Sequence, residues 1–416
     1  MPVKIDPSQC AKCKGARRLC GRPVCPIIIR LSASYNVSKN ITGKSIFGST
    51  PPSILVGESH YPFVRLGPNI PLEVGSKARE YDAPELWWGN KSLEDIIKLR
   101  ASLIFSSFYA NAKIDARISR NKMLEALREV AMSELPVDTE ALLKKRPIVS
   151  LKFDGVLAPI GPRADVLKFK IVGNPVVPRK VDTLISDFDV DARTASYELY
   201  SHGVSYYHIV RLFSLGLLGE KRYRRVVPTR WAITATDKIL GDRLLSKVKD
   251  YKEFENYTVF QSEYIGNRYF LLFVPRVWSF EMIEIWLPRS VWVRGRKPYI
   301  VENYELVDGK ARKADIDGGY YAIRFPVLEY LEKIKRQASV IAFREITPDY
   351  YAPVGSWQIR ESVRAALRGQ PRTFSSLEEA LKYVSTRLSV KFENVYSIAQ
   401  LLKFIVKQET LTKFLS

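Results

Sequence analysis

The sequence predicts an α+β protein: a mixed or antiparallel sheet core with flanking helices, a compact N-terminal cysteine knuckle and a C-terminal helical tail. Three observations predict it. Residues 256–305 hold four short runs, YTVFQSEY, RYFLLFVP, FEMIEIWL and SVWVRG, rich in β-branched and aromatic residues and separated by turns, which reads as an antiparallel meander. Helical periodicity with capping signals falls largely outside that block. All four cysteines of the 416-residue chain lie in the single stretch CAKCKGARRLCGRPVC.

Taken in order, the knuckle is followed by residues 45–75, where Pro and Gly punctuate short apolar runs such as Ile54-Leu55-Val56; this suits strands joined by tight turns. Ser92 with Asp95 three residues on is a capping box, and Leu93, Ile96, Ile97, Leu99 and Leu103 follow at helical spacing. NKMLEALREVAM, from Asn121, is a second helix. Residues 148–177 read as strands, IVSLKF and then VLKFKIV, and 192–218 return to helical spacing. After the meander come a helix over 326–338, the strand IAFREI and a helix from Trp357 to Leu367. GQPRT breaks the chain before a small helical unit with a capping box from Ser376 to Glu379 and an amphipathic helix over 396–406. The expected domains are a knuckle over 1–30, a core over 31–368, a helical unit over 369–406 and a terminal peptide over 407–416.

Composition narrows the partners. The chain is 46% hydrophobic and 26% charged, as in ordinary globular proteins. No apolar run approaches the ~18–20 residues that cross a bilayer, and MPVKIDPSQC is no signal peptide, so a cytoplasmic protein is expected. Lys and Arg number 65 against 44 for Asp and Glu, a net charge of +21. Such a surplus favours polyanions, nucleic acid first among them. A charged surface suited to high temperature explains part of it equally well.

Cys10, Cys13, Cys20 and Cys25 are spaced C-x2-C-x6-C-x4-C, so four thiolates can close a tetrahedral zinc site, with Gly15 and Gly21 letting the backbone turn. Two disulfides or an iron–sulfur cluster are the alternatives. A closed set of four ligands is structural and not catalytic. Arg17 and Arg18 stud this loop and are candidates for phosphate contact. EKRYRRVVPTRWAIT, residues 220–234, interleaves Arg222, Arg224, Arg225 and Arg230 with Tyr223 and Trp231, the mixture by which cations hold phosphates while rings stack on bases. SVWVRGRKPY repeats it.

Other constellations read as structural. His60, His202 and His208 lack metal-ligand spacing, and FGSTPPS lacks the spacing and lysine of a phosphate loop. Trp87 and Trp88 read as core, and REITPDYYAPVGSWQIRES fits a buried arginine–carboxylate network or an active site, which its spacing does not separate. No catalytic residue is assigned. The tail spaces Gln408, Leu411, Phe414 and Leu415 as Q-x-x-L-x-x-F-L; a turn of helix gathers the three apolar residues into a plug for an apolar pocket. Its bland alternative is a continuation of helix 396–406, against which Thr410 and Thr412 weigh.

The knuckle, FGSTPPSILVG, YPFVRLGP, DAPELWWG, VPTRWAITATD, REITPDYYAPVGSWQIRE and the tail, in that order, resemble the archaeal Nre family of DNA-repair proteins, its NreA branch most. The resemblance spans Cys10 to Leu415. It implies a role in DNA damage repair and a zinc site at the four cysteines. It also implies a peptide at Gln408, Leu411, Phe414 and Leu415 that is similar to the PIP motif for the sliding clamp PCNA. Leu415 stands where a second aromatic is commoner, which implies a weaker contact. The resulting expectation is a DNA-repair factor that binds DNA through a basic surface and is recruited to the clamp. A nucleotide-using transferase or nuclease acting in the damage response, and an RNA-binding zinc protein, are the alternatives.

Overall fold

The computed structural model describes residues 12–13, 15, 17–21, 24–114, 121–149, 161–291, 293, 295–312 and 318–415, with side chains of the last helix described as far as Gln408. The chain divides into two compact units, one built on Pro26–Lys152 with Pro159–Leu240, the other on Gly241–Ser416 with Met1–Cys25 and Phe153–Ala158.

The N-proximal unit runs α1 (Pro26–Lys39), β1 (Ser45–Thr50), β2 (Ile54–Val56), β3 (Phe63–Ile70), α2 (Pro84–Trp87), α3 (Leu93–Ala101), β4 (Ile104–Asn111), α4 (Lys122–Met132), β5 (Val137–Leu143), β6 (Arg163–Ile171), α5 (Arg179–Ser186), α6 (Ala192–Ser201), α7 (Tyr206–Ser214) and the first part of α8 (Thr229–Val248). Its six strands are ordered β1-β5-β6-β4-β3-β2, and only the β4–β6 pair is parallel. The capping box at α3 forms as expected: Ser92 Oγ accepts the Asp95 N–H at 3.2 Å, and Asp95 Oδ2 accepts the Ser92 N–H at 3.0 Å. Asn121 caps α4 through the Leu124 N–H. Leu124, Leu127 and Val130 of α4 and Ile209 and Leu212 of α7 pack with Val64, Leu66, Phe108 and Phe169 of the sheet in one core. Gly48 lets β1 pass under the chain turn, because a Cβ there would lie 1.9 Å from the Pro71 carbonyl oxygen.

The C-proximal unit continues with β7 (Lys252–Glu253), β8 (Tyr257–Tyr264), β9 (Asn267–Val274), β10 (Ser279–Trp286), β11 (Tyr299–Glu305), α9 (Gly318–Ile334), β12 (Arg336–Gln337), β13 (Ser339–Ile346), α10 (Trp357–Arg368), β14 (Arg372–Phe374), α11 (Leu377–Ser385), α12 (Phe392–Ile398) and α13 (Leu401–Leu415). Its main sheet is ordered β11-β10-β13-β9-β8-β14. On one face Val259, Leu272, Ile283 and Phe343 pack with α11, α12 and α13 through Leu377, Val384, Val395 and Leu402. On the other, Phe260, Phe273 and Phe280 meet Tyr330 and Tyr320 of α9 with ring centroids 5.1–5.9 Å apart.

Several expectations are corrected here. The meander is interrupted, because β13 inserts between β9 and β10 and pairs parallel to β10. Every residue of β10 and of β13 is buried. A strand buried on both faces belongs at the centre of a sheet, wherever it falls in sequence. SVWVRG is no strand among its described residues; Arg289, Ser290 and Val293 close successive turns there, and its apolar content reflects burial of Val291 and Val293. The last four residues of IVSLKF, 150–153, lie outside the described residues. The box at Ser376 is only half formed, since Glu379 reaches back to the N–H and hydroxyl of Ser375. The single helix over 396–406 is two helices, broken at Ala399-Gln400. The division between the two compact units falls inside α8, and parts of 369–406 pair and pack on the second sheet.

That last break has a cause. Glu281 on β10 is fully buried, and its carboxylate accepts the N–H groups of Gln400 at 2.6 Å, Leu401 at 3.2 Å and Leu402 at 3.0 Å. It thereby satisfies the free donors that open α13, at the positive end of the helix dipole. Burial pushes the Glu281 carboxyl up to about 7, against the pull of those N–H groups and with the help of nearby Glu302. Because the folded value lies above the ordinary 4.5, the folded protein holds a proton that the unfolded chain has lost between those limits. Stability contributed by this group is therefore complete below about 4.5 and is lost as pH rises through about 7. Denaturant titrations of Glu281→Gln across that window should lack this fall, which is on the order of 3 kcal/mol in the native protein.

Candidate nucleic-acid interface, knuckle and C-terminal peptide

The cationic stretch of residues 220–231 does not act as one surface. Arg222 is exposed, pairs with Glu220 at 2.9 Å and lies over the Tyr223 ring at 4.7 Å. Arg225 is exposed. Arg224 points the other way. It is buried, and its guanidinium donates to the carbonyls of Gly219 at 2.7 Å, Ile185 at 2.9 Å and Asp187 at 3.2 Å, with the Phe188 ring 5.0 Å away. Burial, then repulsion from Arg128, lowers its pKa. A side chain so committed pins the turn in place and does not face a phosphate, which corrects the expectation for Arg224. Lys221–Tyr223 form a single tight turn, and the extended stretch after it alternates, burying Arg224 and Val226 and leaving Arg225 exposed.

At the start of α8, Arg230 stays largely in solvent, 3.5 Å from Glu58. The Trp231 indole N–H donates to the other Glu58 oxygen at 3.1 Å, and its ring lies 5.3 Å from that of Tyr61. Thr229 Oγ1 accepts the Val56 N–H at 2.9 Å and so ties the loop carrying Glu58 to the helix. The result is an exposed Trp beside an exposed cation, with Tyr223 also exposed earlier in the stretch. The partnership with GESHYP was illegible in the sequence, because the two segments lie about 170 residues apart.

At the knuckle, the Cys13 thiol is buried and its Sγ accepts the Leu19 N–H at 3.4 Å. Backbone N–H groups of Leu19 first, then Gly15, Arg17 and Arg18, draw its pKa below the usual thiol range. Gly15 and Gly21 take the left-handed conformation, as the sequence leads one to expect, and so does Arg18. Arg17 and Arg18 are exposed. Cys13, Cys20 and Cys25 are free thiols, and Cys10 lies outside the described residues. Among the described residues, no group of three or more His, Cys, Asp or Glu side chains is placed to hold a metal. The described part of the loop thus holds at Cys13 a buried thiol whose pKa is lowered by the surrounding backbone N–H groups.

The terminal peptide is helical. The backbone of α13 continues unbroken to Leu415 and includes Leu411 and Phe414, so Thr410 and Thr412 do not end it. Glu281 supplies the costly first turn, after which each residue adds one hydrogen bond. Gln408 Oε1 accepts a hydrogen bond from the Arg276 guanidinium, in the turn between β9 and β10. The side chains of Leu411, Phe414 and Leu415 lie outside the described residues.

The remaining candidates separate into structural roles. His208 is buried, held neutral by a pKa pushed down to about 3 through burial and then Arg211. His202 closes α6 with its ring nitrogen 2.8 Å from the Glu198 carbonyl, and His60 sits exposed on a turn with φ of 65°. Trp87 is core, as expected, with its indole N–H on the Glu80 carbonyl. Arg344 lies buried against Glu284, with Asn267 Oδ1 2.9 Å from its Nη2. An open cleft of about 420 Å³ is lined by Gln261, Ser262, Glu263, Arg268, Phe270 and Arg387. Among the described residues, no helix is long and apolar enough to cross a membrane.

Residues 19–293 match the family described as archaeal Nre, N-terminal, and residues 305–414 the one described as archaeal Nre, C-terminal. A protein of Archaeoglobus fulgidus named DNA repair protein NreA is 37% identical over 92% of this chain and 94% of its own length. A second from that organism, named DNA repair protein NreB, is 36% identical over 90% and 92%. DNA repair protein NreA of Haloferax volcanii is 34% identical over 86% of each chain. Identities this close do not separate an NreA from an NreB branch. No solved structure gives a significant match.

The geometry of the cationic stretch makes its arginines unequal. Arg224→Ala should lower unfolding stability by about 2–4 kcal/mol, because it strands buried carbonyls. Arg222→Ala and Arg225→Ala should each stay within about 0.5 kcal/mol by denaturant titration.

Proposed function

The chain belongs to the archaeal Nre family, and on that premise we propose that it is a cytoplasmic DNA-repair factor. The observation that carries the reading is identity of 34–37% over most of the length of three relatives named for DNA repair. The net charge of +21 supports contact with DNA through a basic surface, with Arg17, Arg18, Arg222, Arg225 and Arg230 as exposed contributors. These cations hold phosphates and carry no sequence information, so contact of this kind is general and salt-dependent.

The second part of the proposal concerns recruitment. The C-terminal peptide docks on the sliding clamp PCNA through Leu411, Phe414 and Leu415, with Gln408 supplying a hydrogen bond. The helical backbone supports this, since positions three and four apart share a face. Gln408 must exchange its bond to Arg276 for one to the clamp, which fits a weak contact made useful by simultaneous binding to DNA. The third part is a structural zinc held by Cys10, Cys13, Cys20 and Cys25. The lowered pKa of Cys13 fits this donor set, because the thiolate is the ligand. Bound zinc would cross-link the loop and fix Arg17 and Arg18 on its rim.

Calorimetry with the sliding clamp of the same organism tests recruitment. The intact protein should bind in the micromolar range, and Phe414→Ala with Leu415→Ala should abolish the heat while leaving DNA binding in place. No heat from the intact protein removes the clamp from the reading. Elemental analysis tests the metal: about one zinc per chain is expected, lost in Cys13→Ser. A zinc-free protein, or an iron content with visible absorbance, overturns the assignment.

A further inference from the structure

The two faces of the N-proximal sheet differ. One carries the core with α4, α6 and α7. The other, among the described residues, is buried around Phe105 and Ser107 but elsewhere exposes large apolar side chains: Phe63 and Tyr109 at 56% exposure, Leu167 at 54%, and Phe47 and Leu142 just above 40%. Pairing register places them together. Arg65 on β3 is opposite Tyr109 on β4, and Phe63 lies two residues along β3, so these three share a face. Ser107 on β4 is opposite Asp165 on β6, and Leu167 follows two residues on. A register shift where β6 meets Leu142 and Leu143 of β5 turns both Leu167 and Lys168 outward.

Cations are set among these rings. The Arg65 guanidinium lies 5.8 Å from the centroid of Tyr109, bonds Ser107 Oγ at 2.7 Å and pairs with Asp165. Lys170 pairs with Glu140. Arg163 and Lys168 on β6 have no carboxylate at ion-pair distance among the described residues, and Arg163 suffers repulsion from Arg65. An exposed guanidinium set near another of like charge is a poor stabilising feature and a good receptor for an anion.

We infer that this sheet face, with Phe63 and Tyr109 as stacking rings and Arg65, Arg163 and Lys168 as phosphate contacts, is a binding platform for single-stranded DNA. Every base has a flat face for a ring to stack on, and the backbone that joins the bases is a regular polyanion. Rings on neighbouring strands about 5 Å apart, and side chains about 7 Å apart along one strand, let an extended strand lay successive bases down. A duplex keeps its base faces inside its own stack and cannot use the rings. The assignment rests on the DNA-repair reading, which selects DNA over RNA; the sheet selects single strands over duplex.

Fluorescence anisotropy of the full chain tests it, with a labelled thymidine oligonucleotide, a duplex and a ribo-oligonucleotide of equal length. The protein should favour the single DNA strand. Phe63→Ala with Tyr109→Ala should weaken that binding about a hundredfold while duplex binding holds, and Phe63→Leu with Tyr109→Leu, which keeps apolar bulk without rings, should behave alike. Arg163→Gln should reduce the slope of log affinity against log salt by about one. Lys382→Ala, at an exposed position of α11, should leave single-strand binding within a few fold. Circular dichroism and melting confirm that each variant is folded. Single-strand binding untouched by both ring-removing pairs overturns the platform and leaves DNA contact elsewhere, with this face free for a protein partner. Preference for duplex or for RNA overturns it as well. No DNA binding of any kind by the native protein overturns the basic-surface reading, and the platform with it.

Discussion

Burial of both faces of β10 and β13 is the constraint on which the C-proximal unit depends. Charges on such strands cannot reach water, and a lone buried charge costs several kcal/mol. Each is answered from a different element. Glu281 is met by the opening N–H groups of α13, Glu284 by Arg344, and Glu345 by Arg268 and by the N–H and hydroxyl of Ser389. On the edge strand β11, Glu305 is met by Arg324, Tyr320 and the Trp278 indole. These contacts hold α9, α13 and the loop after α11 in position as surely as the apolar packing does. They also begin the terminal helix at a defined place, so the tail leaves from a fixed point.

The two sheets solve the same problem differently. The C-proximal one is enclosed, so its polar groups serve the fold. On the N-proximal one, a patch of the second face keeps rings and cations in solvent among the described residues. A buried arginine and an exposed one are different residues in effect: Arg224 and Arg344 are structural members, whereas Arg163 and Arg230 remain available. For a chain with a large cationic surplus, the proposed contact with DNA draws on those left over after internal carboxylates and carbonyls have taken their share.

Much of the local structure was legible. Ser92 with Asp95, and Asn121 before its apolar stripe, start helices where their side chains close the first turn. The turns at Gly15 and Gly21, the strands at 45–50, 54–56 and 63–70, and the core position of Trp87 follow from similar near-neighbour rules. The exposed sheet face was not legible. Phe63, Tyr109 and Leu167 are spread over a hundred residues, and a lone aromatic in a strand reads as core unless its partner across the sheet is known. The same blindness hid β13 between β9 and β10, and merged α12 with α13.

By itself the sequence determined what neighbours determine: helix starts, strand segments, turns, the cysteine cluster, the charge surplus and the family. Tertiary structure alone decided the strand order, which arginines are consumed inside, where the last helix begins and which patch of sheet stays exposed. Periodicity and capping act within about four residues, and the chain records them in order. Burial and charge pairing join residues separated by dozens to more than a hundred positions, as Glu281 with Gln400 and Arg65 with Asp165 show, and come into being only when the strands are paired.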